Sequence, residues 1–311
     1  HKFDVVISFS LLPNLISALF SRYSILSLTG SAFFALDTSP LARIYWSFFF
    51  QPISCLFADI IVPTSPSVIP PYLKIFPALR SKVHSIYGFI DTHRIDKCLA
   101  SVSRDPIGID FPYILFLASL SRQKGILQLI TVFAQIKHSD PSLDLKLIVC
   151  GNGPMLDRCL AQCTALGLQV AFPHQSLVGP FDVFFANETQ SPYHYIANSR
   201  LVVCPYYYEG LSNTILESLY LRKPVLAAYN HSTAYLQELL LRNSSVDSLP
   251  AESLLYLLPF PSKKNYHHWA SVLKDLSGKP FMPARQCMDN GLELSASINV
   301  LKWKTLIDSI H

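Results

Sequence analysis

Along this chain, short runs of apolar and β-branched residues alternate with longer stretches in which apolar residues recur every three or four positions. Such a switch between periods of two and 3.6 predicts strands followed by helices. Residues 3–9, 24–28, 59–63 and 83–87 read as strands, with helical stretches over 13–20 and 41–56. Residues 65–76 hold Pro66, Pro70 and Pro71, so any helix there is short or late. Short connections between the two kinds of element predict a parallel sheet covered by helices.

Residues 101–110 are polar, carry Pro106 and Gly108, and show no periodicity; they read as a link between domains. A second β/α series follows. Its expected strands are 113–117, 145–149, 169–172, 182–185, 201–204 and 224–228, and its expected helices 125–137, 154–166, 192–198, 213–221 and 233–241. Residues 243–282 look less regular, and an amphipathic helix covers 300–310. The fold class is therefore α/β, with two Rossmann-like domains, 1–100 and 101–299, and a final helix over 300–311. The second series is a full set and the first holds only its later part. Strands and helices amounting to roughly 70–80 residues are expected ahead of His1, at about 30 residues per βαβ unit.

Composition narrows the class. A chain of 311 residues is long for one core, which agrees with two domains. Half of it is hydrophobic and only 15% is charged, yet no clean apolar run of spanning length occurs. The most apolar stretch, 44–61, is broken by Gln51, Pro52 and Asp59. The net charge of +4 comes without a basic block or a stacking motif, so nucleic-acid binding is not expected. Seven scattered cysteines suit reduced thiols in a cytoplasmic protein, and no metal site is expected from Cys159 and Cys163 or from His267 and His268. The aromatic run Tyr45-Trp46-Ser47-Phe48-Phe49-Phe50, with Arg43 beside it, reads as core or as a peripheral contact with the inner face of a membrane.

Chemistry concentrates at three strand-to-helix junctions of the second series, because ligands of open α/β sheets bind beyond the carboxyl ends of strands. The first is Ser121-Arg122-Gln123-Lys124-Gly125, where two cations precede a helix. The second is Gly151-Asn152-Gly153-Pro154, a tight turn after a strand. The third runs from Tyr206 through Glu209, Gly210, Leu211, Ser212 and Asn213 to Glu217. Backbone N–H groups at the start of its helix suit a diphosphate, and a carboxylate in the second turn can accept hydrogen bonds from two ribose hydroxyls. Tyr206–Tyr208 either line a sugar pocket or pack the strand end.

Lys124-Gly125, Gly151-x-Gly153-Pro154, Glu209-Gly210, Ser212-Asn213, Glu217 and Lys223-Pro224-Val225, taken in order, resemble the signatures of glycosyltransferase family 4, of GT-B fold. Ser191-Pro192-Tyr193-His194-Tyr195-Ile196 resembles a subgroup of bacterial enzymes that build surface polysaccharides. The resemblance implies two domains facing across a cleft, with the last helix returning to the first. It implies a retaining, metal-independent transfer from a UDP- or GDP-linked sugar, with no further cofactor, to a saccharide or lipid-linked saccharide. Glu209 would lie beside the donor sugar and Lys124 would stabilise the departing diphosphate. Arg122, Gly153, Gly210, Leu211, Ser212, Asn213 and Glu217 would bind the donor. Separately from the resemblance, the loop 186–190 is expected to take part in the base pocket, with nothing in it to select uracil over guanine.

The sequence also departs from the family pattern. Ala118-Ser119 stands where Gly-Arg is usual, leaving Arg122 as the substitute cation, and Arg222 and Arg200 replace a usual Gly and an acidic residue. Thr29-Gly30 occupies the place of an acceptor-side histidine. Two rival readings follow from the same residues: a GT-B sugar-nucleotide epimerase, and a homologue that binds nucleotide without catalysis.

Overall fold

The computed structural model describes residues 3–28, 39–65, 68–101, 109, 111–173, 180–189, 191–242, 254–280 and 296–310. The expected link at 101–110, apart from Ser101 and Ile109, and the Thr29-Gly30 position lie outside the described residues. The chain divides into two compact units, one of His1–Ile90, Tyr208–Ser212 and Glu293–His311, the other of Asp91–Tyr207 and Asn213–Leu292. Both are α/β with parallel sheets.

In the first unit, β1 (Val6–Phe9), α1 (Leu11–Phe20) and β2 (Ser24–Leu28) lead to a continuous helical run. This run is α2 (Pro40–Tyr45), a π-helical segment Trp46–Phe50, and α3 (Gln51–Phe57). Then come β3 (Ile60–Pro63) and α4 (Pro70–Ile75), the late helix that the prolines allow. The strands pair in parallel in the order β1-β2-β3. A buried polar network fixes their ends: Ser8 Oγ donates to Asn14 Oδ1 at 2.8 Å, and Asn14 Nδ2 donates to the Ser27 carbonyl at 3.1 Å. Asp59 accepts from the Ser24 backbone N–H at 2.8 Å. These bonds satisfy groups that would be costly if buried unpaired.

Residues 83–87 do not form the expected strand. One parallel bridge joins Val83 to Ile61, with the His84 N–H on the Ile61 carbonyl at 2.9 Å, and the Gly88 N–H then bonds the Thr64 carbonyl at 2.8 Å. The segment keeps its apolar role all the same, since Ile86 is buried with Ile25, Ile60 and Val62. The final helix, α12 (Ala296–Asp308), belongs to this cluster through Leu306, with Trp303, Ile307 and Ile310 packed on it. The outer side of the unit is apolar and exposed: Ile7 and Phe9 on β1, Leu12, Ile16, Leu19 and Phe20 on α1, and Ile44, Tyr45, Phe48 and Phe49 on the helical run.

The second unit opens with α5 (Thr92–Ser101), a helix missed in the sequence because its one fully buried apolar residue is Ile95. The series β4 (Tyr113–Leu117), α6 (Ile126–Ser139), β5 (Lys146–Cys150), α7 (Leu156–Ala165), β6 (Val170–Ala171) and β7 (Val183–Asn187) follows. After it come α8 (Tyr193–Asn198), β8 (Leu201–Cys204), α9 (Asn213–Tyr220), β9 (Val225–Ala228) and α10 (His231–Arg242). Residues 243–282 are more regular than expected: they contain β10 (Leu255–Leu258) and α11 (Tyr266–Gly278). Trp269, Leu273 and Leu276 give α11 a buried stripe, and the exposed, adjacent His267 and His268 obscure it in the sequence. Among the described residues the sheet order is β10-β9-β8-β4-β5-β7-β6, and its pairings are parallel.

The strand order explains where a ligand can enter. The chain leaves β4 toward β5 on one side and later returns to β8 on the other. The connections after β4 and β8 therefore diverge and open a crevice at their carboxyl ends.

Arg222 marks a local strain. The Lys223 N–H bonds the Ser218 carbonyl at 2.8 Å and the Arg222 N–H bonds the Leu219 carbonyl at 3.0 Å, the paired closure that ends a helix. The residue at this cap must turn left-handed, and Arg222 has φ 56°. An L side chain there costs on the order of 1 kcal/mol relative to glycine. Arg222→Gly is expected to raise the stability of the second unit by about 1 kcal/mol. Urea denaturation of both forms measures it, and an unchanged or lowered midpoint contradicts the account.

Candidate functional site

The site begins at the last residue of β4. The Leu117 carbonyl accepts two hydroxyl hydrogen bonds, from Tyr206 at 3.1 Å and from Thr214 at 3.0 Å. Tyr206 follows β8 and Thr214 is the second residue of α9, so one carbonyl fixes the entry and the exit of the loop after β8. The Tyr207 N–H adds a bond to the Gln123 carbonyl at 2.8 Å. The Arg122–Lys124 turn, a single 3-10 turn, is thereby laced to the start of α9.

Two glycines make this lacing possible. Gly125 has φ 69°, and a Cβ there would lie 2.1 Å from the Pro205 carbonyl oxygen. At Gly153 a Cβ would lie 2.6 Å from the Leu120 carbonyl oxygen and 2.8 Å from the Leu120 nitrogen. The Leu120 N–H bonds the Asn152 carbonyl at 2.9 Å and the Met155 N–H bonds the Leu120 carbonyl at 3.0 Å, which draws the two loops together. The glycines act here as close-approach positions.

Lys124 sits with its Nζ 4.4 Å from the centre of the Tyr206 ring. The ring face attracts the cation. Burial nonetheless pushes the ammonium down to about 8 from its ordinary 10.5, and the nearby Cys204 acts in the opposite direction. Tyr206 thus packs the strand end and supports the lysine at once, while Tyr207 is exposed, edge-on to Phe260 at 5.3 Å.

Glu217 lies in the second turn of α9, partly buried. Burial raises its carboxyl to about 7 from 4.5, and Arg94 opposes this. Tyr193 of α8 is likewise raised, by burial first and by Glu217 second. Arg94 and Tyr193 are neighbours of Glu217 that no local spacing reveals. Lys223, in the Lys-Pro-Val segment, is 1% exposed and burial lowers it to about 7.

The predicted residues fall into two sets. Arg122, Lys124, Gly153, Asn213 and Glu217 belong to the second unit, around the carboxyl ends of β4, β5 and β8. Glu209, Gly210, Leu211 and Ser212 fall in the strip Tyr208–Ser212 that clusters with the first unit. There a Cβ on Gly88 would make ordinary contact with Leu211 at 3.7 Å. Within the loop 186–190 suggested for the base, Asn187 ends β7 with φ 60° and accepts from the Gly151 N–H at 2.8 Å. His194 is buried, with Nε2 lacking a hydrogen-bond partner among the described residues, and His231 is exposed. Among the described residues no group of three or more His, Cys, Asp or Glu is placed to hold a metal ion.

Gly125→Ala tests the lacing. The new methyl collides with backbone and the φ is unfavourable, so a loss of more than about 1–2 kcal/mol is expected. Denaturation midpoints report it, and a neutral substitution would show that the two loops are not held at this distance.

Comparisons with known proteins bear on the fold and on the kind of chemistry. The profile of the family Glycosyl transferases group 1 matches residues 103–235, which contain Arg122, Lys124, Gly153, Glu209 and Glu217. A Campylobacter jejuni protein is 28% identical over 162 residues. It is the N-acetylgalactosamine-N,N'-diacetylbacillosaminyl-diphospho-undecaprenol 4-alpha-N-acetylgalactosaminyltransferase. The match spans 52% of this chain and 39% of that relative. Sucrose-phosphate synthase from Thermosynechococcus elongatus superposes with a TM-score of 0.68 at 17% identity, covering 99% of this chain and 74% of that one. Anabaena HepE, solved with UDP and glucose, gives 0.65 at 15% identity, covering 98% and 78%. At these identities the likeness is one of fold: the chain has the α/β architecture of the GT-B class.

Proposed function

We propose that this chain carries the donor-binding part of a retaining, metal-independent glycosyltransferase that moves a sugar from a UDP- or GDP-linked donor to a saccharide or lipid-linked saccharide. The observation that carries the reading is the grouping of Lys124, the first backbone N–H groups of α9 and Glu217 around the switch point of one parallel sheet. A diphosphate suits the helix start and the lysine, and a ribose diol suits a carboxylate one turn further along. The family profile over residues 103–235 supports sugar transfer, and the Campylobacter relative, by its name, acts on an undecaprenol-linked saccharide.

In this reading Lys124 meets the charge that grows on the leaving diphosphate, and Arg122 is the second cation of the same turn. Glu209 takes the place beside the donor sugar that the family resemblance assigns to it. Lys124→Met and Glu209→Ala are each expected to lower sugar transfer by about 10²–10³-fold, the scale of losing one transition-state contact. Full activity in the Glu209→Ala protein would remove that residue from the chemistry.

The pH dependence of nucleotide binding has a definite sign. Glu217 accepts hydrogen bonds best as a carboxylate, which requires pH above about 7. Lys124 is a cation below about 8. Affinity for UDP or GDP should be greatest between these values and fall on both sides. Calorimetric titration from pH 5.5 to 9.5 measures the profile; a flat profile contradicts the two assignments.

The exposed apolar side of the first unit supports the further reading that additional β/α units of the same protein cover β1 and α1. A parallel strand with apolar side chains on its open side is normally buried by neighbours. A longer chain is then expected to bind much less of a hydrophobic fluorescent dye than residues 1–311, and equal binding would count against this.

A further inference from the structure

The contact between Lys124 and the ring of Tyr206 is built from both sides. On the tyrosine side the ring is held at three points. Its hydroxyl donates to the Leu117 carbonyl at 3.1 Å, its backbone N–H bonds the Cys204 carbonyl at 2.8 Å, and it meets the Phe116 ring edge-to-face, with centroids 6.4 Å apart. Tyr206 is 1% exposed, so close packing leaves the ring little room to turn. On the lysine side, the Lys124 N–H bonds the Ser121 carbonyl at 3.2 Å. The next residue, Gly125, passes so near Pro205 that a Cβ would lie 2.1 Å from the Pro205 carbonyl oxygen. Pro205 directly precedes Tyr206. Two backbones in close contact thus carry the ammonium and the ring, and the side chains meet with Nζ 4.4 Å from the ring centre. The negative potential of an aromatic face attracts a cation at this distance.

We propose that Tyr206 is a positioning residue for Lys124: its ring face holds the ammonium in register with the first turn of α9, so that both meet a diphosphate together. The proposal rests on the donor-site reading for its ligand and on the Lys124–Tyr206 contact for its geometry. The register comes from one oxygen. Thr214, the second residue of α9, donates its hydroxyl at 3.0 Å to the same Leu117 carbonyl that holds Tyr206. The platform for the lysine and the start of the helix are therefore tied to a common point. A lysine side chain has several rotatable bonds, and ordering them costs entropy. A ring that orders them before the ligand arrives removes that cost from binding. An aromatic face also carries no net charge, so the ammonium keeps its own for phosphate oxygens. The three consecutive tyrosines thereby differ in role. Tyr206 lies under the lysine, Tyr207 stands edge-on to Phe260, and Tyr208 falls in the strip that clusters with the first unit.

The test separates the contact from the ligand reading. In protein carrying ¹³C-labelled lysine, the Lys124 ε-methylene signal is assigned by its loss in Lys124→Met. A group over a ring face is shifted upfield. The signal is expected upfield of those of exposed lysines in wild type and in Tyr206→Phe, and among them in Tyr206→Leu. In parallel, UDP, GDP and inorganic pyrophosphate are titrated at constant pH into wild type, Lys124→Met, Tyr206→Phe, and proteins with a singly, doubly or triply fluorinated phenylalanine at position 206. Fluorine drains the negative potential of the ring face with little change of shape. Affinity should therefore fall stepwise along the series, by about tenfold in all, within the range for a cation on an aromatic face. The fluorinated proteins keep a ring in place, so they decide the matter even where Tyr206→Leu does not fold. A Lys124 signal unmoved in Tyr206→Leu overturns the proposal. So does a flat fluorine series in which Lys124→Met still weakens binding, an outcome that leaves the donor site standing. Affinity indifferent to Lys124→Met overturns the placing of the diphosphate at Lys124, and the proposal with it.

Discussion

The site depends on how one backbone carbonyl is satisfied. Leu117 closes β4 at the centre of the second sheet, where the chain order switches direction. Its carbonyl is held by Tyr206 and Thr214, which come from the two ends of the loop after β8. An acceptor partly withdrawn from water needs a donor, and here the donors are the residues that must be placed for the loop to close. Once they are placed, α9 starts beside the Arg122–Lys124 turn, and the backbone of that turn can be drawn in wherever no Cβ intervenes.

Burial then gives these groups their chemistry. Lys124, Glu217 and Lys223 are all partly or fully withdrawn from water, and each titrates nearer neutrality than it would in solution. Desolvation disfavours the charged form in every case, but the neighbours differ. Lys124 rests on an aromatic face, the charge of Arg94 partly offsets the burial of Glu217, and Lys223 has Arg200 nearby, which depresses it further. In the proposed donor site, a diphosphate beside Lys124 and a diol beside Glu217 favour the charged forms that burial disfavours. Lys124 and Glu217 lie by the switch point, as such groups do at functional sites, whereas Lys223 stands just ahead of β9, at the amino ends of the strands.

Much of the scaffold was legible. The strands 113–117 and 201–204 stand where the apolar runs place them, because a parallel strand covered on both faces must be apolar throughout. Helix α9 was legible from its start signals and its position after β8. The segment 83–87 was misread because an apolar run signals burial without signalling a ladder, and here burial of Ile86 came with a single bridge. Helix α5 escaped because its apolar stripe is short, Ile95 with the half-buried Cys98 and Leu99, and polar contacts such as Asp96 with Tyr220 complete its docking. The substitution at 222 was legible as a departure, but its meaning as a left-handed cap needed the φ angle.

By itself the sequence determined the α/β series, the three loops at the carboxyl ends of strands, and the acidic and basic residues on them. Local order along a chain is enough for that, since period, caps and turn residues act over a few positions. Tertiary structure alone decided which groups meet: Tyr206 under Lys124, Tyr220 on Asp96, and Tyr208–Ser212 with the first unit rather than the second. Those partners lie about a hundred residues apart, and no interaction between neighbours in sequence can select among them. Sheet order and the exclusion of water make that selection.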